Sequence, residues 1–260
     1  MGELLDKLER ASKGAVQPLG FGASTKRVKL APMLLIGALN PGDAAQAKLA
    51  ADPSLDAVIV TAGAATASAL DKAIKGANST TAGVWRDQAA AEDPEGVDFQ
   101  VFSSEATPIG ALSGDKRTNI MQVVPEWEDS QLRTIELLPV DGFLVSLKDS
   151  DALTVSQLMR LARVRGVTSR WLLAHLAVLP TRAELEQLRE VGVSAIVVDL
   201  AGRTADDLKT CRDALLDLPR ESKRRDRQRN VATLPSGGFQ APGPGRRPPE
   251  PEPDDDDDDD

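Results

Sequence analysis

Short apolar runs alternate along the chain with stretches whose apolar residues recur at helical spacing. The runs begin near Met33 (MLLIGAL), Ala57 (AVIVTA), Thr81 (TAGVWR), Asp98 (DFQVFS), Asn119 (NIMQVV), Asp141 (DGFLVSL), Arg170 (RWLLAHL) and Ser194 (SAIVVDL), at a mean spacing of 23 residues. Runs this short and this rich in Val, Ile, Leu and Phe predict strands buried on both faces. The stretches between them carry helix punctuation. Thr154-Val-Ser-Gln157 and Thr181-Arg-Ala-Glu184 match the capping box, in which a hydroxyl and a Glu or Gln side chain satisfy orphan N–H groups. Asn40-Pro41 predicts an N-cap and a first-turn proline for the next helix. Gly166 and Gly192 are expected at helix ends, in the positive-φ conformation that glycine tolerates. The third and fourth connections are tight, and residues 87–94 and 106–112 leave room for short helices only.

Eight strand–helix alternations predict a parallel sheet with right-handed crossovers. Eight such units close naturally on themselves, and residues 33–217 resemble the TIM-barrel superfold in alternation and count. The fold class expected is therefore α/β, a compact (βα)₈ barrel. An open doubly wound sheet is the alternative that the same alternation allows. Residues 1–32 precede the barrel as a helix and an extended segment. The helix is amphipathic over residues 3–13, with Leu4, Leu5, Leu8 and Ala11 on one side. The segment around Pro18-Leu19-Gly20-Phe21-Gly22 is expected to cover the bottom of the barrel. Residues 218–260 lose apolar periodicity. A basic block (Arg220, Lys223, Arg224, Arg225, Arg227, Arg229) leads through Gly and Pro to a run of seven aspartates, a composition expected to be disordered.

Charge follows the same division. The first 218 residues hold 23 basic and 29 acidic side chains, and the last 42 hold 8 and 11, so the net −9 splits into −6 and −3. An acidic body gives no electrostatic reason to expect nucleic acid. No apolar run approaches the ~20 residues of a membrane span. Met1-Gly2-Glu3-Leu4-Leu5-Asp6 is too charged for a signal peptide, and Asp6 stands where a myristoylation signal wants Ser or Thr. The expected location is cytoplasmic. A single cysteine, Cys211, excludes an internal disulfide and a cysteine metal cage. The lone histidine, His175, excludes a multi-histidine zinc site, so no metal site is expected. Gly20-Phe-Gly22-Ala-Ser24-Thr25 begins like a dinucleotide fingerprint. It lacks the third glycine, and Lys26 to Pro32 run straight towards a strand. No cofactor is indicated.

The resemblance implies that catalytic groups stand at the C-terminal ends of the strands. Those positions hold Asn40, Thr61, Arg86 with Asp87, Ser103 with Glu105, Glu126, Lys148 with Asp149, His175, and Asp199 with Arg203. Asn40 reads more simply as the N-cap, and Asp87 and Asp149 as ordinary loop residues. Class I aldolases, which are similar barrels, place a Schiff-base lysine within strand six, whereas Lys148 here follows Leu147 at the edge of that run. Asp149 and Asp151 beside it favour the charged ammonium over the nucleophilic amine. The loops after the seventh and eighth strands, where such barrels hold phosphate, offer Gly202 and Arg203. Glu184, Asp206 and Asp207 already occupy the first turns of the helices there.

His175 lies in an apolar run, which suits a buried core imidazole as well as a base at the end of its strand. Asp199 ends the neighbouring strand, where its carboxylate would orient the ring. The expected nucleus is His175 with Asp199, with Glu126 as a second carboxylate and Arg86, Arg203 or Lys148 fixing an anionic group. That set suits acid–base chemistry of lyase or isomerase type on a small anionic metabolite. The alternative is a non-catalytic barrel that meets a protein partner through its charged tail. It draws support from length, since about 185 residues for eight units leave nothing over for a lid.

Overall fold

The computed structural model describes residues 2–13, 29–63, 65–77, 80–90, 94–112, 117–124 and 126–219. Eight strands alternate with the surrounding helices: β1 (Leu34–Leu39), β2 (Ala57–Thr61), β3 (Thr81–Arg86), β4 (Val97–Phe102), β5 (Thr118–Val123), β6 (Gly142–Leu147), β7 (Trp171–Leu176) and β8 (Ala195–Asp199). Each is parallel to its neighbours. Leu34 to Ala38 of β1 pair with Ala195 to Asp199 of β8, so the sheet closes into a barrel and the open-sheet alternative is excluded.

Alternation along each strand divides the core into two. Ile36, Ile59, Phe99, Ile120, Leu144, Leu173 and Val197 turn inward and fill the barrel. Leu35, Val58, Val84, Phe143, Leu172 and Ile196 turn outward and pack under the helices. At the centre, the ring of Phe99 occupies the space a side chain on Gly83 would need. A Cβ there would overlap three atoms of the ring, so only glycine fits.

The outer layer comprises α2 (Ala44–Ala50), α3 (Ala67–Gly76), α4 (Asp129–Thr134), α5 (Val155–Val167), α6 (Arg182–Val191) and α7 (Ala205–Leu216). Both capping boxes form, Thr154 with Gln157 and Thr181 with Glu184, and Gly192 ends α6 at φ 100°. Two other expectations are corrected. Gly166 lies within α5, whose C-cap is Thr168. Asn40 does not cap α2. Asp43 does, accepting from the backbone N–H groups of Ala45 and Gln46, because Asn40 and Pro41 are taken up by the turn that leaves β1.

The tight third and fourth connections also leave their mark. Among the described residues no helix joins β3 to β4, and only a 3₁₀ turn (Ile109–Leu112) lies between β4 and β5. The outward faces of β4 and β5 each carry a buried amide there. Gln100 donates from Nε2 to the carbonyl of Ala111 and to Oδ1 of Asn119, and Asn119 donates to the carbonyl of Leu112. Buried amides satisfied by turn backbone thus replace helix packing on this side.

The first helix, α1 (Glu3–Lys13), closes the barrel from below. Leu4 and Leu8 are fully buried among the inward-facing side chains. A register shift between β3 and β4 leaves Asp98 unpaired, and its carboxylate accepts from the N–H groups of Glu3 (2.6 Å) and Leu4 (2.8 Å), orphan donors of the helix start. Lys7 donates to the carbonyl of Asp56 and the hydroxyl of Thr81. The covering role expected of the segment around residues 18–22 falls outside the described residues, as does the expectation of disorder for 220–260. Among the described residues no helix is long and apolar enough to cross a membrane.

Candidate functional site

The C-terminal ends of the strands surround a cavity of about 360 Å³. Its β6–β8 side carries a chain of three polar side chains. His175 turns inward from β7, because it shares a face with Leu173 and Trp171, which belong to the barrel interior. Asp199 shares the inward face of β8 with Val197 in the same way. Nε2–H of His175 donates to Oδ1 of Asp199 at 3.0 Å, and Nζ of Lys148, just beyond β6, donates to Oδ2 at 2.5 Å. The imidazole hydrogen bond is the main force holding the Asp199 carboxyl down to about 2 from an ordinary 3.8. Burial opposes it, and the Lys148 ammonium adds to it.

His175 is enclosed, with 6% of its side chain exposed. Its ring meets Trp85 edge-on, with centroids 5.0 Å apart, and Nδ1 is buried without a hydrogen-bond partner. Neither ring nitrogen therefore faces the cavity freely. Asp199 and Lys148 do face it, with side chains 34% and 45% exposed. Lys148 is held in an ion pair, which does not suit a Schiff-base nucleophile.

The β1–β4 side is built of uncharged donors and acceptors with one ion-bearing pair of neighbours. The Thr61 hydroxyl donates to Oδ1 of Asn40 (2.6 Å), and the carbonyl of Leu39 lies 3.0 Å from the same oxygen. Oε1 of the buried Gln46 accepts from the backbone N–H of Asn40, while Asp43 fixes the Gln46 amide. The Ser103 hydroxyl donates to Asp87, and Arg86 lines the same space.

Of the side chains expected at a site, the structure gathers His175, Asp199, Lys148 and Arg86 around one cavity, together with Asn40, Thr61, Asp87 and Ser103. Glu126 and Arg203 stand elsewhere. Glu126 pairs with Arg160 at 3.5 Å, and that arginine also holds Asp149. Arg203 donates to the carbonyl of Ala177 in the loop after β7. Glu105 lines a separate apolar cavity of about 260 Å³ between the 3₁₀ turn at Ile109–Leu112 and α4. Trp85 and Gln46 are not among the expected residues. Alternation from Gly83 points to Trp85, whereas nothing local marks Gln46. Among the described residues no cluster of three or more His, Cys, Asp or Glu side chains is arranged to hold a metal.

The depressed Asp199 carboxyl has a pH consequence. Because its folded pKa lies below its unfolded one, the stability it contributes is complete above about 3.8 and is lost as pH falls through about 2. Unfolding free energy measured from pH 5 to pH 2 should fall less steeply in Asp199→Asn than in the natural protein. Parallel curves would show that the carboxylate is not held.

The sequence matches no family model and no curated protein. Solved structures match in fold. A mutant tryptophan synthase alpha-subunit from the hyperthermophile Pyrococcus furiosus superposes with a TM-score of 0.56 at 17% identity, covering 71% of this chain and 98% of that one. KGPDC from Streptococcus mutans, in a ligand complex, superposes with a TM-score of 0.55 at 12% identity, covering 70% and 97%. At such identities the likeness is one of fold, the closed eight-stranded parallel barrel.

Proposed function

We propose that the mouth of the barrel takes a small anionic metabolite and performs acid–base chemistry of lyase or isomerase type on it. The observation that carries this reading is the chain from His175 through Asp199 to Lys148, set on three consecutive strand ends at one cavity. Its position agrees with the end of the barrel where such folds keep their sites. KGPDC, similar in fold, is known in complex with a ligand, which fits a barrel that binds a small molecule.

The roles differ from those the sequence suggests. The Lys148 ammonium has one N–H on Asp199 and offers the others to a substrate oxygen, where negative charge develops as a carbon–hydrogen or carbon–carbon bond breaks. Sharing the Lys148 ammonium with that oxygen weakens one of the contacts that hold the Asp199 pKa down, which makes Asp199 the better base. In an isomerisation it takes the proton from carbon and returns it to the neighbouring position. His175 acts behind Asp199 by fixing its orientation, and Arg86 lines the opposite side of the cavity beside Asp87. Glu126 and Arg203 take no part.

Calorimetric titration with inorganic phosphate, pyruvate, D-gluconate and D-ribose 5-phosphate tests the reading. At least one should bind saturably, Lys148→Met should weaken it tenfold or more, and deletion of residues 219–260 should change affinity less than twofold. No binding, or equal binding by Lys148→Met, overturns it. Partner capture that depends on the tail, with an empty mouth, selects the non-catalytic alternative.

A further inference from the structure

We infer that the ligand of this mouth is a polyhydroxylated acid of five or six carbons, with one anionic end and a hydroxyl-bearing body. The inference rests on the proposed metabolite site and names its substrate class. The two sides of the cavity differ in chemistry. On the β6–β8 side the exposed donor is Lys148, whose ammonium keeps N–H groups beyond the one given to Asp199. A carboxylate, phosphate or carbonyl oxygen is what such a group takes.

On the β1–β4 side the groups are of another kind. The Asn40 side-chain oxygen accepts from Thr61, which leaves its amide N–H₂ as a donor at an exposed position. The Thr61 and Ser103 hydroxyls spend their single protons on Asn40 and Asp87, and so present lone pairs. Asp87 uses one carboxylate oxygen for Ser103 and has only acceptor capacity left. One amide donor set among three acceptors is met by a group that both donates and accepts, which is a hydroxyl. A second full anion finds no net positive charge on that side, because the Arg86 guanidinium there is offset by the Asp87 carboxylate. A ligand hydroxyl takes the place of water on the exposed Asn40 and Asp87, and one that is missing leaves the half-buried Thr61 and Ser103 less well paired, which is where discrimination comes from.

Size agrees. At about 20 Å³ per non-hydrogen atom, a sugar acid of roughly a dozen to fifteen such atoms fills most of about 360 Å³. Trp85 lines the same cavity and gives the carbon skeleton an apolar surface.

Four probes separate the claims by calorimetry. D-Gluconate and D-ribose 5-phosphate carry hydroxyls and an acid, as carboxylate and phosphate respectively. Hexanoate has the acid alone and sorbitol the hydroxyls alone. The natural protein should bind gluconate or ribose 5-phosphate at least tenfold more tightly than hexanoate and sorbitol, and the tighter of the two identifies the acid. Asn40→Ala and the isosteric Asp87→Asn should each weaken that ligand fivefold or more without weakening hexanoate. Hexanoate binding as tightly as gluconate overturns the inference while the anion site stands. Binding of the sugar acids that ignores both substitutions overturns it too. If none of the four binds, both readings fall.

Discussion

A Leu4→Ala/Leu8→Ala double replacement should bring the barrel to the edge of unfolding, lowering its stability by about 4–8 kcal/mol. Both side chains are fully buried, and their neighbours are the inward residues of several strands, among them Leu34, Ile36, Phe99 and Leu173. Truncation therefore opens a void at the floor of the barrel rather than on its surface. Each Leu→Ala change in such a place costs about 2–5 kcal/mol. The two residues share one helix face, so their effects fall somewhat short of additive. A domain of ordinary stability has only about 5–15 kcal/mol to lose. Leu5 lies on the same helix but is only partly buried, and Leu5→Ala serves as the control with a smaller loss. Urea unfolding followed by circular dichroism reads the difference. A double variant whose midpoint matches the natural protein would show that α1 is not part of the core.

Asp199→Asn should tighten the binding of a simple anion at the mouth by about tenfold. In the folded chain the Asp199 carboxylate stands 2.5 Å from the Lys148 ammonium. An anion bound to that ammonium would lie about 6 Å from the carboxylate, where at an effective dielectric of about 40 the repulsion is about 1.4 kcal/mol. The asparagine removes this repulsion and keeps an oxygen for the His175 N–H. Leucine at the same position removes the acceptor as well. Both imidazole nitrogens would then be buried without partners, since Nδ1 already has none, and stability should fall by about 1–3 kcal/mol. Calorimetry with inorganic phosphate checks the first effect and thermal unfolding the second. Weaker phosphate binding by Asp199→Asn would mean that Lys148 needs the carboxylate more than the anion suffers from it.

Much of this architecture is written in local pattern. Alternation of apolar runs with capped helices specifies a parallel sheet covered on both faces, the count of eight points to a barrel, and the pairing of β1 with β8 establishes closure. The thin side of the barrel is visible too, in the polar Gln100 and Asn119 that sit within otherwise apolar runs. What escapes the sequence depends on contacts between distant segments. Asn40 resembles an N-cap, and only the turn after β1 shows that Asp43 takes that part. Gly166 has the place of a helix terminator, yet the helix runs through it.

The site follows the same division. Strand ends nominate His175 and Asp199, and parity in their strands turns both inward. Glu126 and Arg203 have equal claims by position, but in the folded chain Glu126 pairs with Arg160 and Arg203 donates to the carbonyl of Ala177, away from the cavity. The subordinate place of His175 is also hidden from local pattern, since it depends on Trp85 packing against the ring from β3.

The most direct test of the mouth as a ligand site is an amide NMR titration of the ¹⁵N-labelled protein with D-gluconate or D-ribose 5-phosphate. Saturable shifts gathered at Asn40, Thr61, Asp87, Lys148 and Asp199, and absent in Lys148→Met, are the predicted result. Shifts that are absent, that gather instead around Ile109 and Leu138 at the apolar cavity, or that persist in Lys148→Met would contradict it.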